Sequence, residues 1–236
     1  MVYNIFPLIV VFLMSFSSNK IEKNVPKLSA FVIEKSAFEM KVEAIYTHLN
    51  ANNLKLPDLE SFSLALAGFY DLKDKGLISK DILTLVDFSL SSNVKRLWVI
   101  DLTTNTILFN SLVAHGRNTG EEFANSFSNI DSSFKSSLGF YATGEIYKGK
   151  HGASLKLDGL EKGINDNARA RGVVIHGADY VSENFIKGNK RLGRSQGCPA
   201  LPVELAQEII SVIKDKSCLF IYHPSINHKI NEKLIS

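Results

Sequence analysis

Cys198 lies between Gly197 and Pro199 in the stretch Arg-Ser-Gln-Gly-Cys-Pro-Ala-Leu, residues 194 to 201, and His176 closes the apolar run Val173-Val-Ile-His. A thiol and an imidazole are the two halves of a nucleophile and its base. The base favours the thiolate, a third group orients the base, and backbone donors meet the charge that develops on a carbonyl oxygen. The neighbours suit those roles. Gly197 removes a side chain where a substrate must approach, and the Gly197 and Cys198 amides are expected to face an oxyanion. Gly177 lets backbone come close to the imidazole, where a main-chain carbonyl can fix its tautomer. Pro199 donates no hydrogen bond and stiffens the exit. Singly, each has a plainer reading, since core histidines and packing cysteines are common. The combination is what points to chemistry.

The chain around these residues has 236 positions, 45% hydrophobic and 22% charged, with a formal net charge of +3. That composition suits one medium-sized domain with an appendage. The small charge and the lack of a basic stripe give no footprint for nucleic acid, and the scattered lysines read as solvated surface. Residues 5–16 form a 12-residue apolar run containing Pro7. A bilayer span takes about 20 residues, so the run reads instead as the core of a secretory signal, with Ser15 and Ser17 at the −3 and −1 positions of a cleavage site. The segment before it carries no Lys or Arg. The expectation is a signal peptide over 1–17 and an exported protein of the periplasm or cell envelope, meeting the membrane only through that signal. The two cysteines, Cys198 and Cys218, supply a rival: an exported pair can form a disulfide, which would remove the nucleophile. A zinc site from His176, Cys198, Cys218 and His223 lacks the short Cys-x-x-Cys spacing of structural zinc. No metal and no cofactor is expected.

Several elements must position the pair. Residues 18–79 read as a polar linker followed by helices. Phe31, Phe38, Val42, Ile45 and Leu49 repeat at helical steps, and Pro57-Asp58 opens a second helix with Leu59, Phe62, Leu66, Phe69 and Tyr70 inward, ended by Gly76. From about residue 80 the period changes to two: Ile82, Thr84, Val86, Phe88 and Leu90 share one strand face. Lys95–Leu102 and Ile107–Val113 flank a polar turn and read as a hairpin. Residues 116–139 and 182–194 read as long loops. Phe140–Thr143, Ala153–Leu157 and Val173–His176 read as short strands, Pro202 opens a helix, and Cys218–Tyr222 closes the domain as a buried strand. The predicted fold is α+β: a mainly-β core over 80–226 with one C-terminal helix, preceded by a helical segment, and a frayed tail over 227–236.

The segments Val173-Val-Ile-His-Gly-Ala-Asp-Tyr-Val181 and Gly193-Arg-Ser-Gln-Gly-Cys-Pro-Ala-Leu201 resemble the YkuD-type L,D-transpeptidases, and most closely the murein L,D-transpeptidase catalytic domain family. The order, histidine before a Ser-x-Gly-Cys turn, is that family's. The resemblance implies the L,D-transpeptidase-like fold over about 80–225, with Cys198 as nucleophile, His176 as general base and Gly177 orienting it. It also implies Gly197 and Cys198 amides in the oxyanion hole, Ser195 supporting the loop, and Arg194 as the holder of a substrate carboxylate. Gln196 departs from the pattern, standing where the family usually has a histidine. The implied reaction is acyl transfer on peptidoglycan stem peptides through a Cys198 thioester, with release of D-Ala and transfer to an amine. The same thioester serves a carboxypeptidase or an endopeptidase. With a Cys198–Cys218 disulfide, the implied protein is an inactive cell-wall-binding module.

Overall fold

The computed structural model describes residues 36–149 and 152–226. The expected signal over 1–17, Phe31 and the tail over 227–236 lie outside the described residues. Ser36 opens helix α1 (Ala37–Thr47) with a reciprocal cap: its hydroxyl accepts from the Glu39 N–H at 3.1 Å, and the Glu39 carboxylate accepts from the Ser36 N–H at 2.7 Å. This satisfies donors that a first turn otherwise leaves orphaned. Asp58 caps α2 (Leu59–Asp74) by accepting from the Glu60 N–H. Phe62, Leu66 and Phe69 are fully buried as their spacing requires, while Leu59 stays exposed. Gly76, at φ +67°, takes the left-handed turn that ends the helical run.

Eight strands follow: β1 (Ile82–Asp87), β2 (Leu97–Asp101), β3 (Thr106–Ser111), β4 (Gly139–Gly149), β5 (Gly152–Gly159), β6 (Val174–Gly177), β7 (Ala200–Leu201) and β8 (Cys218–Tyr222). Helix α3 (Glu183–Asn189) separates β6 from β7, and α4 (Val203–Ile213) separates β7 from β8. The strands form one sheet in the order β3-β2-β1-β8-β4-β5-β6-β7. Pairing is parallel for β1 with β8 and β6 with β7, and antiparallel elsewhere. Just past β3, Ala114 exchanges both backbone hydrogen bonds with Ala200 of β7, at 2.9 and 3.3 Å. The two ends of the sheet therefore meet, and the sheet is nearly closed into a barrel, which removes most of its open edge.

The α+β, mainly-β expectation holds, with two corrections. The strand read through Leu90 ends at Asp87, and both its faces are buried, Leu83 and Leu85 as fully as Thr84 and Val86. Both α2 and α4 pack on this strand, and a covered central strand does not show one-sided alternation. The segment 182–194 is not all loop. Ser182 caps α3 by accepting from the Phe185 N–H at 3.2 Å, and Lys190 ends it at φ +63°. The core thus carries a helix before β7 as well as the C-terminal one. Helix α4 buries Ala206, Ile209, Ile210 and Ile213, and α2 contributes Phe62, Leu66 and Phe69 to the same hydrophobic core as the strands.

Gly68 of α2 marks the closest approach of helix to sheet: a Cβ there would stand 2.0 Å from the Phe140 ring, which is stacked on Phe220 at 4.1 Å between centroids. Alanine in place of glycine adds up to about 1 kcal/mol of helix stability, but overpacking costs about 1–3 kcal/mol. Gly68→Ala is therefore expected to lower stability by about 1–2 kcal/mol, read as a lower urea midpoint with an unchanged m-value.

Candidate active site

Strand pairing brings the two reactive segments together. His176 of β6 is in parallel register with Ala200 of β7, two residues past Cys198, so the imidazole-bearing strand and the thiol-bearing turn run side by side at the ~4.8 Å strand spacing. Cys198 and His176 line one cleft of about 440 Å³ together with Arg194, Ser195, Gln196 and Tyr180. His176 is only 4% exposed, and its Nδ1 lies 2.9 Å from the Gly177 carbonyl oxygen. A carbonyl can only accept, so Nδ1 carries the proton, and in the neutral ring Nε2 is the accepting nitrogen. Gly177 is kept small from behind: a Cβ there would meet Ala206 of α4 at 3.0 Å.

Cys198 is half-buried and Cys218 fully buried, and the two form no disulfide. The disulfide alternative is thereby corrected: Cys218 points into the core from β8, and burial holds its thiol well above the usual range. The Cys198 sulfur accepts from the Val174 N–H at 3.5 Å and donates to the Gly172 carbonyl at 3.8 Å. Both partners belong to the entry into β6, so the strand that carries His176 also seats the thiol.

Ser195 knots the turn. Its hydroxyl accepts from the Gly197 N–H at 3.0 Å and donates to the Cys198 carbonyl at 2.6 Å. The Gly197 amide, expected at an oxyanion, is engaged inside the turn in this structure. Gly197 adopts φ +124°, and a Cβ there would stand 2.9 Å from the Lys135 carbonyl oxygen, so only glycine fits. Gln196 is exposed at the cleft mouth. Arg194, expected to await a substrate carboxylate, already has one: its Nη1 donates to Glu121 at 2.6 Å and to the Arg117 and Gly120 carbonyls at 3.1 Å. Glu121 also binds Arg191 at 2.8 Å, so the 116–139 loop is pinned to the segment that leads into the turn.

Four site residues carry no signal in the sequence. Tyr180 lines the cleft, its hydroxyl pushed up to about 12 by burial and then by the neighbouring Cys198. Arg171 lines the cleft and donates to the Lys135 carbonyl at 2.7 Å and the Ser128 carbonyl at 2.9 Å, gathering the 116–139 loop. Ser136 bonds the Gly197 carbonyl at 3.1 Å. His115 lies behind the turn, where its carbonyl accepts from the Ser195 N–H at 3.0 Å. Its ring accepts from Arg96 through Nδ1 at 2.8 Å and donates through Nε2 to the Gly120 carbonyl at 3.2 Å.

A family model described as L,D-transpeptidase catalytic domain matches residues 53–222, well over half of the chain. Among curated proteins, none matches. Solved structures with a similar fold include an L,D-transpeptidase from Mycobacterium smegmatis, 11% identical with a TM-score of 0.38 over 61% of this chain and 59% of that one. They also include the helical cell shape determining protein Pgp2 from Campylobacter jejuni, 15% identical with a TM-score of 0.40 over 70% of this chain and 59% of that one. The chain thus spans about three fifths of the length of these solved structures.

His115 gives the scaffold a pH response. Burial first, then the Arg96 charge, push its pKa from 6.5 down to about 4. At pH 7 the ring is neutral folded and unfolded, so it costs nothing. As pH falls below 6.5 the unfolded chain takes up a proton that the folded ring refuses, and stability drops by up to about 3 kcal/mol by pH 4. Asp87, raised by burial, works in the opposite sense. Thermal melts from pH 7 to 4 should show the loss, and His115→Gln, which retains a donor and an acceptor, should flatten it.

Proposed function

The chain belongs to the L,D-transpeptidase catalytic-domain family, and from that premise we propose that it is a cysteine-dependent acyltransferase acting on peptidoglycan stem peptides. One observation carries the reading. The Gly177 carbonyl holds His176 in the Nδ1–H tautomer, and the ring and the Cys198 thiol share one cleft. That is a base whose accepting nitrogen is Nε2, on a strand end that fixes its position.

In the proposed reaction, His176 Nε2 takes the Cys198 proton. The sulfur attacks the carbonyl of the third stem residue, forming the C–S bond while the carbonyl π pair moves to oxygen. Collapse of that intermediate breaks the C–N bond, and D-Ala leaves with the proton from His176. An amine from a neighbouring stem then attacks the thioester, gives its proton to His176, and releases Cys198 as thiol. Thiol, imidazole and backbone donors complete both steps, so no cofactor enters the scheme. Water in place of the amine makes a carboxypeptidase, and an existing cross-link as donor makes an endopeptidase. Ser195 closes the nucleophile's turn, and Gln196 stands at the mouth, where incoming substrate passes. Such a substrate lies outside the cytoplasm, in keeping with the export expected from residues 1–17. Among the described residues, no helix is long and apolar enough to cross a membrane.

Intact-mass spectrometry with a disaccharide-tetrapeptide tests this. The expected result is a gain equal to the donor minus D-Ala, absent in Cys198→Ala. His176→Gln is expected to slow adduct formation by roughly 10²- to 10⁴-fold, the share that a general base supplies. No adduct on a protein whose Cys198 titrates as a free thiol would sink the proposal.

A further inference from the structure

Three stretches of backbone converge behind Cys198 more closely than side chains allow. A Cβ on Gly116 would stand 2.6 Å from the Phe134 carbonyl oxygen and 2.9 Å from Gly197 Cα, and a Cβ on Gly197 would stand 2.9 Å from the Lys135 carbonyl oxygen. Ser136, only 1% exposed, places a hydroxyl at this junction. Its oxygen accepts from the Gly116 N–H at 3.0 Å. Its proton goes to the Gly197 carbonyl oxygen at 3.1 Å. The serine is held in turn by its own backbone, with its N–H on Thr119 Oγ1 at 2.8 Å and its carbonyl accepting from the Ser128 N–H at 3.0 Å.

The Gly197 carbonyl belongs to the peptide that links Gly197 to Cys198. A peptide is planar, and in the trans form its C=O and N–H point in opposite directions; every described peptide here is trans. Anchoring the Gly197 oxygen on a buried hydroxyl therefore fixes the direction of the Cys198 N–H, away from the interior. On the other side of the residue, the Ser195 hydroxyl fixes the Cys198 carbonyl at 2.6 Å. Both peptide planes around the nucleophile are set by serine hydroxyls. The Gly197 N–H is engaged with Ser195, and the Cys198 N–H is the other amide expected to face an oxyanion.

From this geometry we infer that Ser136 is a positioning residue for the acyl-transfer step, aiming the Cys198 amide at the developing oxyanion. It touches neither substrate nor sulfur and acts through the Gly197–Cys198 peptide. The inference rests on the acyl-transfer reading and adds a residue to it. When the C–S bond forms and the carbonyl pair moves to oxygen, a preset N–H stabilises the charge without reorganising. When the plane is loose, that stabilisation fades while the sulfur keeps its nucleophilicity.

The experiment uses two reactions of the same thiol. Iodoacetamide alkylates Cys198 by displacing iodide and forms no oxyanion. The disaccharide-tetrapeptide acylates it through one. Intact mass follows both rates in wild type and Ser136→Ala. The expected result is acylation slowed at least tenfold, toward the roughly 10²- to 10³-fold that loss of an oxyanion donor costs, with alkylation within about twofold of wild type. Equal acylation in the two proteins, or a parallel loss of both rates, overturns the inference. A wild type that alkylates but never acylates overturns the acyl-transfer reading and takes this inference with it. If Ser136→Ala does not fold, a crystal structure of the wild-type acyl-enzyme decides. The thioester oxygen on the Cys198 N–H, with Ser136 still on the Gly197 carbonyl, supports the role, and an oxygen directed elsewhere overturns it.

Discussion

A charge with no exposed surface has to be met by acceptors on every side, and Arg96 is such a charge. It is fully buried, and its guanidinium donates twice to the Val113 carbonyl, once to the Leu90 carbonyl and once to His115. The Phe88 ring lies 4.8 Å away on its face. Burial lowers its pKa to about 9, so it remains a cation at neutral pH. Desolvating an ion costs several kcal/mol unless the surrounding dipoles are fixed, and here the fixed dipoles are the Val113 carbonyl just past β3 and the Leu90 carbonyl between β1 and β2. The requirement passes outward. Because the arginine can only donate, His115 must accept through Nδ1 and keep its proton on Nε2. That proton goes to Gly120, whose carbonyl also receives Arg194. The His115 carbonyl receives Ser195, the residue that knots the nucleophile's turn. One buried guanidinium therefore orders the ground on which Cys198 stands.

The 116–139 loop shows how a long irregular segment can be held without a ladder. Asn118 bonds the Ser133 carbonyl, Asn129 bonds Asp166, and Arg171 and Ser136 take up carbonyls near the nucleophile. Its Gly, Asn and Ser content is what a loop needs when its backbone groups must be satisfied by side chains instead of strands. Ser132 and Phe134 both adopt left-handed backbone, at φ +55° and +54°, where they border the cleft. Phe134 is braced by the Arg117 guanidinium, 3.9 Å from its ring centre.

What the sequence revealed and what it hid divide along one line. Helices α1, α2 and α4 were legible because their signals are local: the apolar spacing of Phe38, Val42 and Ile45 in α1, Asp58 before Leu59, Pro202 before Val203. The β2–β3 hairpin was legible for the same reason. His176 and Cys198 were legible because each sits beside a glycine that a strand end or a tight turn demands. Helix α3 was missed because its run of seven residues buries none of them and shows no stripe. The double-sided burial of β1 depends on which elements cover it, and periodicity cannot report that. Arg194 reads as a cleft cation until Glu121, distant in sequence, is seen to hold it. Ser136 and His115 act through backbone atoms of other segments, which no residue type announces.

The place of β8 has a consequence for how the molecule comes into being. The last strand pairs with β1 on one side and β4 on the other, so it is the seam between the two halves of the sheet rather than an edge added at the end. Without Cys218–Tyr222, β1 keeps only β2 and β4 keeps only β5 as a partner, and the hydrophobic core that Leu219, Phe220 and Ile221 complete is open. Pairing across such sequence distance carries a large loop-closure cost before any contact repays it. Closing the sheet therefore waits on the pairing of β8 with both β1 and β4. The proposed nucleophile and base both sit beside this sheet, Cys198 just before β7 and His176 in β6, so their meeting in one cleft depends on the same closure.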